Sequence, residues 1–157
     1  MVSGRDLNAY CACGNKNCHE SISLKEAAEK LSKGMQVLIR DGSLCKDVVT
    51  LSPLINDLTS PFLALCTDDR NPLDIAEEGH LDHLIRSAIG AGPPMGAVYR
   101  AASWSAAQGF GLRDRGLFAP GYRADMVLLD DLADCAVASV IRDGRPVDDE
   151  SFGGHRP

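Results

Sequence analysis

Aromatic side chains are scarce in this sequence: Phe, Tyr and Trp together make up 5% of its 157 residues. Any core must therefore be assembled from Leu, Ile, Val and Ala. An excess of positive charge is missing too. The net charge is −6 and the basic residues are scattered, whereas phosphate binding needs a dense basic patch, so nucleic acid is not expected as a partner. No apolar run approaches the roughly 20 residues that span a bilayer. The opening residues 1–14 lack the basic-then-apolar order of a secretion signal. The expected setting is the cytoplasm, with no membrane partner. Six cysteines are present, but the chain is not a disulfide-dense mini-protein. In a reducing compartment Cys18, Cys45, Cys66 and Cys135 read as free, small, buried residues.

What is present has a repeating grammar. Ser3 is placed to cap a first helix over 4–12, which Gly14 ends. A short strand follows near 15–19. Ser23 and Glu26 then form the two ends of a capping box, and Leu24, Ala27, Ala28 and Leu31 fall on one helical face. Met35–Ile39 reads as a buried strand, ended by the turn residues Arg40-Asp41-Gly42-Ser43. A helical stretch over 46–58 leads to a second apolar run, Phe62–Cys66, and to the polar cluster Thr67–Pro72. Helices are expected near 79–90 and 94–108, with Trp104 as a packing anchor. Three strand-then-helix units predict an α/β fold with parallel strands near 15–19, 35–40 and 62–67. A closed barrel of this kind needs eight strands, so three read as a partial (β/α) barrel over residues 1–110.

Near Gly111 the grammar changes to closely spaced turns and short β-rich runs at Met126–Leu129, Val137–Ile141 and Pro146–Val147. Asp143-Gly144 is a hairpin signal. Residues 111–148 read as a small β segment, and 149–157 as a disordered tail.

His19 and Asp68 each follow a predicted strand, where active-site residues of α/β barrels gather. Imidazole and carboxylate are also the ligands expected of a hydrolytic divalent metal. On the residues alone two other roles stay open: His19 as a helix cap or core residue, and Asp68 as the cap of the next turn. Cys11, Cys13, Cys18 and His19 place four soft ligands within nine residues and leave open a small zinc-binding protein. His80 and His83, three apart on a helix, read as structural.

In order and spacing, the strings NCHES, GMQVLIRDGS, LCTDDRNP, EEGHLDHLIR and AASWSAAQGFGLRDRGLFAPGYRADMVLLDDL resemble bacterial adenine deaminases of the amidohydrolase superfamily. The resemblance covers residues 3–148. APGYRADMVLLDD is shared with amidohydrolases in general, where it belongs to a β-sandwich beside the barrel. The resemblance implies hydrolysis of adenine to hypoxanthine and ammonia at a binuclear divalent centre, manganese or iron with zinc as an option. It makes His19 the metal ligand ending the sixth barrel strand. Asp68 becomes the metal-binding, proton-moving residue ending the eighth. Glu20 would meet the purine ring nitrogens or serve as an outer carboxylate. Arg40, Asp41, Ser43 and Asp69 would line the substrate pocket or form a plain loop, with Asp69 and Arg70 as a local ion pair. The family's HxH pair, its bridging acid and its fifth-strand His have no match here. The chain alone is therefore expected to be inactive, as part of a longer polypeptide, a homo-oligomer or an inactive remnant acting as a binding or assembly module.

Overall fold

Each of the three expected strands forms, and the three lie side by side and parallel. The computed structural model describes residues 2–148. Helix α1 (Gly4–Ala12) precedes β1 (Asn17–Cys18), and α2 (Leu24–Ser32) leads to β2 (Gln36–Arg40). A short helix α3 (Val48–Leu51) and two 3₁₀ turns, Ser52–Leu54 and Ser60–Phe62, lead to β3 (Leu63–Cys66). The sheet order is β1-β2-β3, with Cys18 opposite Val37, Val37 opposite Leu63 and Arg40 opposite Cys66. Four helices follow: α4 (Pro72–Glu78), α5 (Leu81–Gly90), α6 (Met95–Ala102) and α7 (Trp104–Gly109). Leu63, Ala64 and Leu65 are all buried, as befits a parallel strand covered on both faces. Val37 and Ile39 meet Leu84, Ala88, Val98 and Ala101 of α5 and α6 in one core.

Several elements differ from expectation, each for a local reason. The helix expected over 46–58 ends at Leu51, because Pro53 opens a 3₁₀ turn and Asn56 Oδ1 accepts from the Leu58 and Thr59 amides. The helix expected over 94–108 is two helices, broken at Ser103, whose hydroxyl donates back to Tyr99 O at 2.6 Å. Against that break packs Gly116, at φ +83, where a Cβ would lie 3.0 Å from Ser103 O. Helix α4 was not expected; Asn71 caps it and Pro72 starts it. In α2 the buried face carries Ala27 and Lys30, while Leu24 is 41% exposed. Ser3 stands at the N-cap of α1 without a side-chain cap bond.

Beyond α7 the chain forms an antiparallel sheet of β4 (Met126–Asp131), β5 (Ala136–Arg142) and β6 (Arg145–Pro146). The turn between β5 and β6 has φ +51 at Asp143 and +75 at Gly144, the paired left-handed geometry that Asp-Gly favours. Cys135 and Leu129 join the core, and the Tyr99 hydroxyl donates to Leu132 O at 2.7 Å. The expected tail over 149–157 lies outside the described residues. Among the described residues no helix is long and apolar enough to cross a membrane.

Candidate active site

Parallel strands deliver their C-terminal ends to one side of a sheet, and here that side gathers charge. His19 comes directly after β1, Arg40 ends β2, and Asp68 lies just past β3. The Arg40 guanidinium is buried and ties the three ends together. Its Nη1 reaches Glu20 Oε2 at 3.2 Å and Asp68 Oδ2 at 3.4 Å, and its Nε donates to Asp47 Oδ2 at 2.9 Å. Glu20 in turn contacts His19 Nε2 through Oε1 at 3.2 Å. A continuous line of charged groups thus runs from His19 through Glu20 and Arg40 to Asp68. The Asp47 bond, reinforced by Glu20, raises the Arg40 pKa against the cost of burial, so this cation is permanent.

The exposure pattern is that of a reactive edge. The His19 side chain is 49% exposed and that of Asp68 is 32% exposed, so neither is a core residue. Asp68 also has φ +47, a left-handed backbone that costs a non-glycine residue about 1 kcal/mol or more. It does not cap the next helix; Asn71 does, accepting from the Leu73 and Asp74 amides. Beside them, burial pushes the Cys66 thiol up to about 11, so it stays neutral.

The other residues of the strand-end loops are placed as follows. Asp41 is buried, and its Oδ2 lies 3.5 Å from His83 Nε2. Burial raises its pKa, although Lys46, His83 and Arg70 pull the other way. Ser43 accepts from the Asn71 amide at 2.9 Å and donates to Asp74, pinning the β2 loop to α4. Asp69 accepts from the Leu44 amide at 3.1 Å. A Cβ on Gly42 would fall 1.7 Å from Asp69 Oδ1, so glycine lets Asp69 take this position against the β2 loop. The expected Asp69–Arg70 pair does not form. Arg70, fully buried, turns away to the Glu78 carboxylate and to Gly79 O at 2.7 Å.

That turn explains why the segment over 66–72 comes with the one over 77–82. Arg70 clasps Glu78 and Gly79, and Gly79 has φ +108 with no room for a Cβ beside Asp82. Asp82 accepts from the His80 amide at 2.8 Å and pairs with Arg86. The two strings form one structural clasp behind Asp68. Asp47 and His83 were not singled out as site residues, and no local pattern marks either one. Asp47 reaches the mouth through its bond to Arg40 at the end of β2, and His83 reaches it from α5 through Asp41.

His19 and Asp68 offer the donor types a divalent ion accepts. Their number falls short. Among the described residues no group of three or more His, Cys, Asp or Glu side chains is placed to hold an ion. His19 and Asp68 by themselves do not complete such a centre. The same finding corrects the zinc alternative. Cys11 lies within α1, Cys13 is exposed at its end, and Cys18 turns to Lys30, with all six cysteines free.

Comparison with known proteins agrees with this architecture. The chain is 63% identical over 154 residues to an adenine deaminase of Methylobacterium nodulans, covering 98% of this chain and 27% of that protein. It is 55% identical over 157 residues to adenine deaminase 1 of Rhizobium meliloti, covering all of this chain and 28% of that protein. It thus spans about a quarter of the length of the curated relatives it matches. Among solved structures, N-acetyl-D-glucosamine-6-phosphate deacetylase from Mycobacterium smegmatis superposes with a TM-score of 0.68 at 22% identity, covering 91% of this chain and 44% of that one. The corresponding deacetylase from Thermotoga maritima gives 0.67 at 18% identity, covering 90% and 49%. At such identity the likeness concerns the fold: part of an amidohydrolase barrel with strand ends on one side. The amidohydrolase family model matches residues 3–147, and with the strand-end site in place the chain belongs to the amidohydrolase family.

Proposed function

We propose that this chain carries part of the active site of an adenine deaminase, which hydrolyses adenine to hypoxanthine and ammonia in purine salvage. The observation that carries the reading is the pairing of 63% identity to such an enzyme with the placement of His19 and Asp68 at one sheet end. His19 and Asp68 would be two donors to a divalent centre, manganese or iron with zinc as an option, whose other ligands lie outside this chain. When bound, the metal supplies hydroxide at neutral pH.

The chain's own residues then have distinct tasks. Asp68, partly exposed and held by Arg40, passes a proton to the departing amino group. Glu20, 63% exposed beside His19, meets the purine ring nitrogens. Arg40 holds both carboxylates in place, because its guanidinium is occupied by three acidic partners. Asp41, Ser43 and Asp69 shape the rim of the same mouth. The proposed setting is the cytoplasm, in a longer polypeptide or a homo-oligomer.

The test is a segment replacement. This chain is substituted for the matching segment of the Methylobacterium nodulans enzyme, and ammonia release from adenine is followed. Turnover is expected, with His19→Ala or Asp68→Asn lowering it by about 10²–10⁴-fold. The 157-residue chain alone, supplied with manganese or iron, is expected to be silent. A folded but inactive replacement overturns the proposal. Turnover by the isolated chain that disappears in His19→Ala would show that the site is assembled without the missing ligands.

A further inference from the structure

Lys30 is an unusual residue to find inside α2. It lies in the interior, only 3% exposed, where a lysine is almost never buried unless paired. Its Nζ has three partners: Glu26 Oε1 at 2.8 Å, Ser21 Oγ at 3.0 Å and Cys18 Sγ at 3.2 Å. The sulfur is held from a second side, since the Glu20 amide donates to it at 3.5 Å. Amine and thiol are therefore held within hydrogen-bond distance of each other by β1 and α2. They are also reachable. A cavity of about 440 Å³ opens onto Cys18, Glu26 and Lys30, ample for a peroxide molecule. The candidate active site makes no use of this pair.

We propose that Cys18 and Lys30 form a covalent cross-link through one oxygen atom, Sγ–O–Nζ, when the protein meets hydrogen peroxide. The Cys18 sulfur attacks one peroxide oxygen, the O–O bond breaks, and a sulfenic acid and water result. Lys30 passes its ammonium proton through Glu26 to water, leaving the free amine. The amine then attacks a second peroxide, giving a hydroxylamine and another water. The hydroxylamine oxygen attacks the sulfenyl sulfur, forming the S–O bond and releasing a third water. Sulfur and nitrogen together lose four electrons, two to each peroxide. Relative to the free pair the product gains one oxygen and loses two hydrogens. The other five cysteines have no lysine amine bonded to sulfur among the described residues, which makes Cys18 the selective position. The link joins β1 to α2 one residue before His19, and it stands independently of the deaminase reading.

The experiment uses the whole chain, reduced, then exposed to hydrogen peroxide and mapped by mass spectrometry without reductant. The expected product is a tryptic species joining residues 17–25 to 26–33, uncut after Lys30 and heavier by one oxygen less two hydrogens. Dithiothreitol should free the ordinary 17–25 peptide by cleaving the S–O bond, leaving Lys30 as its hydroxylamine, one oxygen heavier. Cys18→Ser and Lys30→Met should abolish the species, and Glu26→Gln should slow its formation several-fold. The map of the unsubstituted chain decides the matter even if a variant fails to fold. Cys18 found only as sulfenic or sulfinic acid, with normal cleavage after Lys30, overturns the proposal. So does a disulfide from Cys18 to Cys11 or Cys13 in its place.

Discussion

In β2 and β3, Val37, Ile39, Leu63 and Ala64 are at most 1% exposed, whereas in β4 and β5 Val127, Leu128, Val137 and Val140 stand 39–54% exposed. Composition does not separate the two sheets, since both are rich in branched apolar residues. Layers do. The parallel sheet has helices packed on it, while the antiparallel sheet touches the core chiefly through Leu129 and Cys135. A cavity of about 730 Å³ remains between α5, α6 and that sheet, lined by Tyr99, Leu117, Met126 and Val137 among others. An apolar side chain is driven from water in proportion to its area, but it becomes buried only where a second layer exists to meet it. Charge follows the same division. Arg70 has no exposed side-chain surface and is clasped by Glu78 and Gly79, whereas Arg123, paired with Asp125 and Asp143, is 36% exposed.

Matched substitutions sharpen or break this contrast, read as loss of unfolding free energy in denaturant titrations. The largest effect is expected for Arg70→Ala, about 3 kcal/mol, because it empties the site of a fully buried side chain and releases its hold on Glu78 and Gly79 O. Arg123→Ala, its counterpart beside the hairpin, should cost at most about 1 kcal/mol, as exposed ion pairs do. Val37→Ala comes next at about 2 kcal/mol, from lost burial and the cavity left behind. Asn71→Ala should cost about 1 kcal/mol through loss of the α4 cap, with Asn71→Gly milder. Smallest is Val140→Ala, expected to stay within about 0.5 kcal/mol. Should Val140→Ala prove as costly as Val37→Ala, the exposed face of the hairpin is covered in solution and the contrast fails.

Much of the fold was legible because its signals are local. The capping residues Ser23 and Glu26, the β2 run and the Asp143-Gly144 turn each act over a few residues, and each appears where expected. Capping is slightly altered, since Glu26 returns to the Ile22 amide and spends its other oxygen on Lys30. The errors fell where a local pattern met a distant competitor. The periodic face of α2 pointed to Leu24 and Ala28, but Lys30 is drawn inward by Cys18 and Ser21, twelve and nine residues away. Asp47 stands at the N-cap of α3, yet its carboxylate goes to Arg40 and not to the helix. The pair expected between Asp69 and Arg70 was lost to partners farther off, Leu44 and Glu78.

Short stretches of sequence carry the strand-helix alternation, the change to β-rich turns past Gly111, and the positions of His19 and Asp68 just after strands. These follow from hydrophobic period, turn chemistry and strand direction, all readable within a dozen residues. Packing of the whole fold joins Arg40 to Glu20, Asp47 and Asp68, closes Arg70 on Glu78, and brings Lys30 to Cys18. Those choices depend on register between β1, β2 and β3 and on which charged group finds its counter-charge when water is removed. Burial makes an unpaired charge costly, so each partner is chosen by the packed neighbourhood as a whole, which no short stretch of chain encodes.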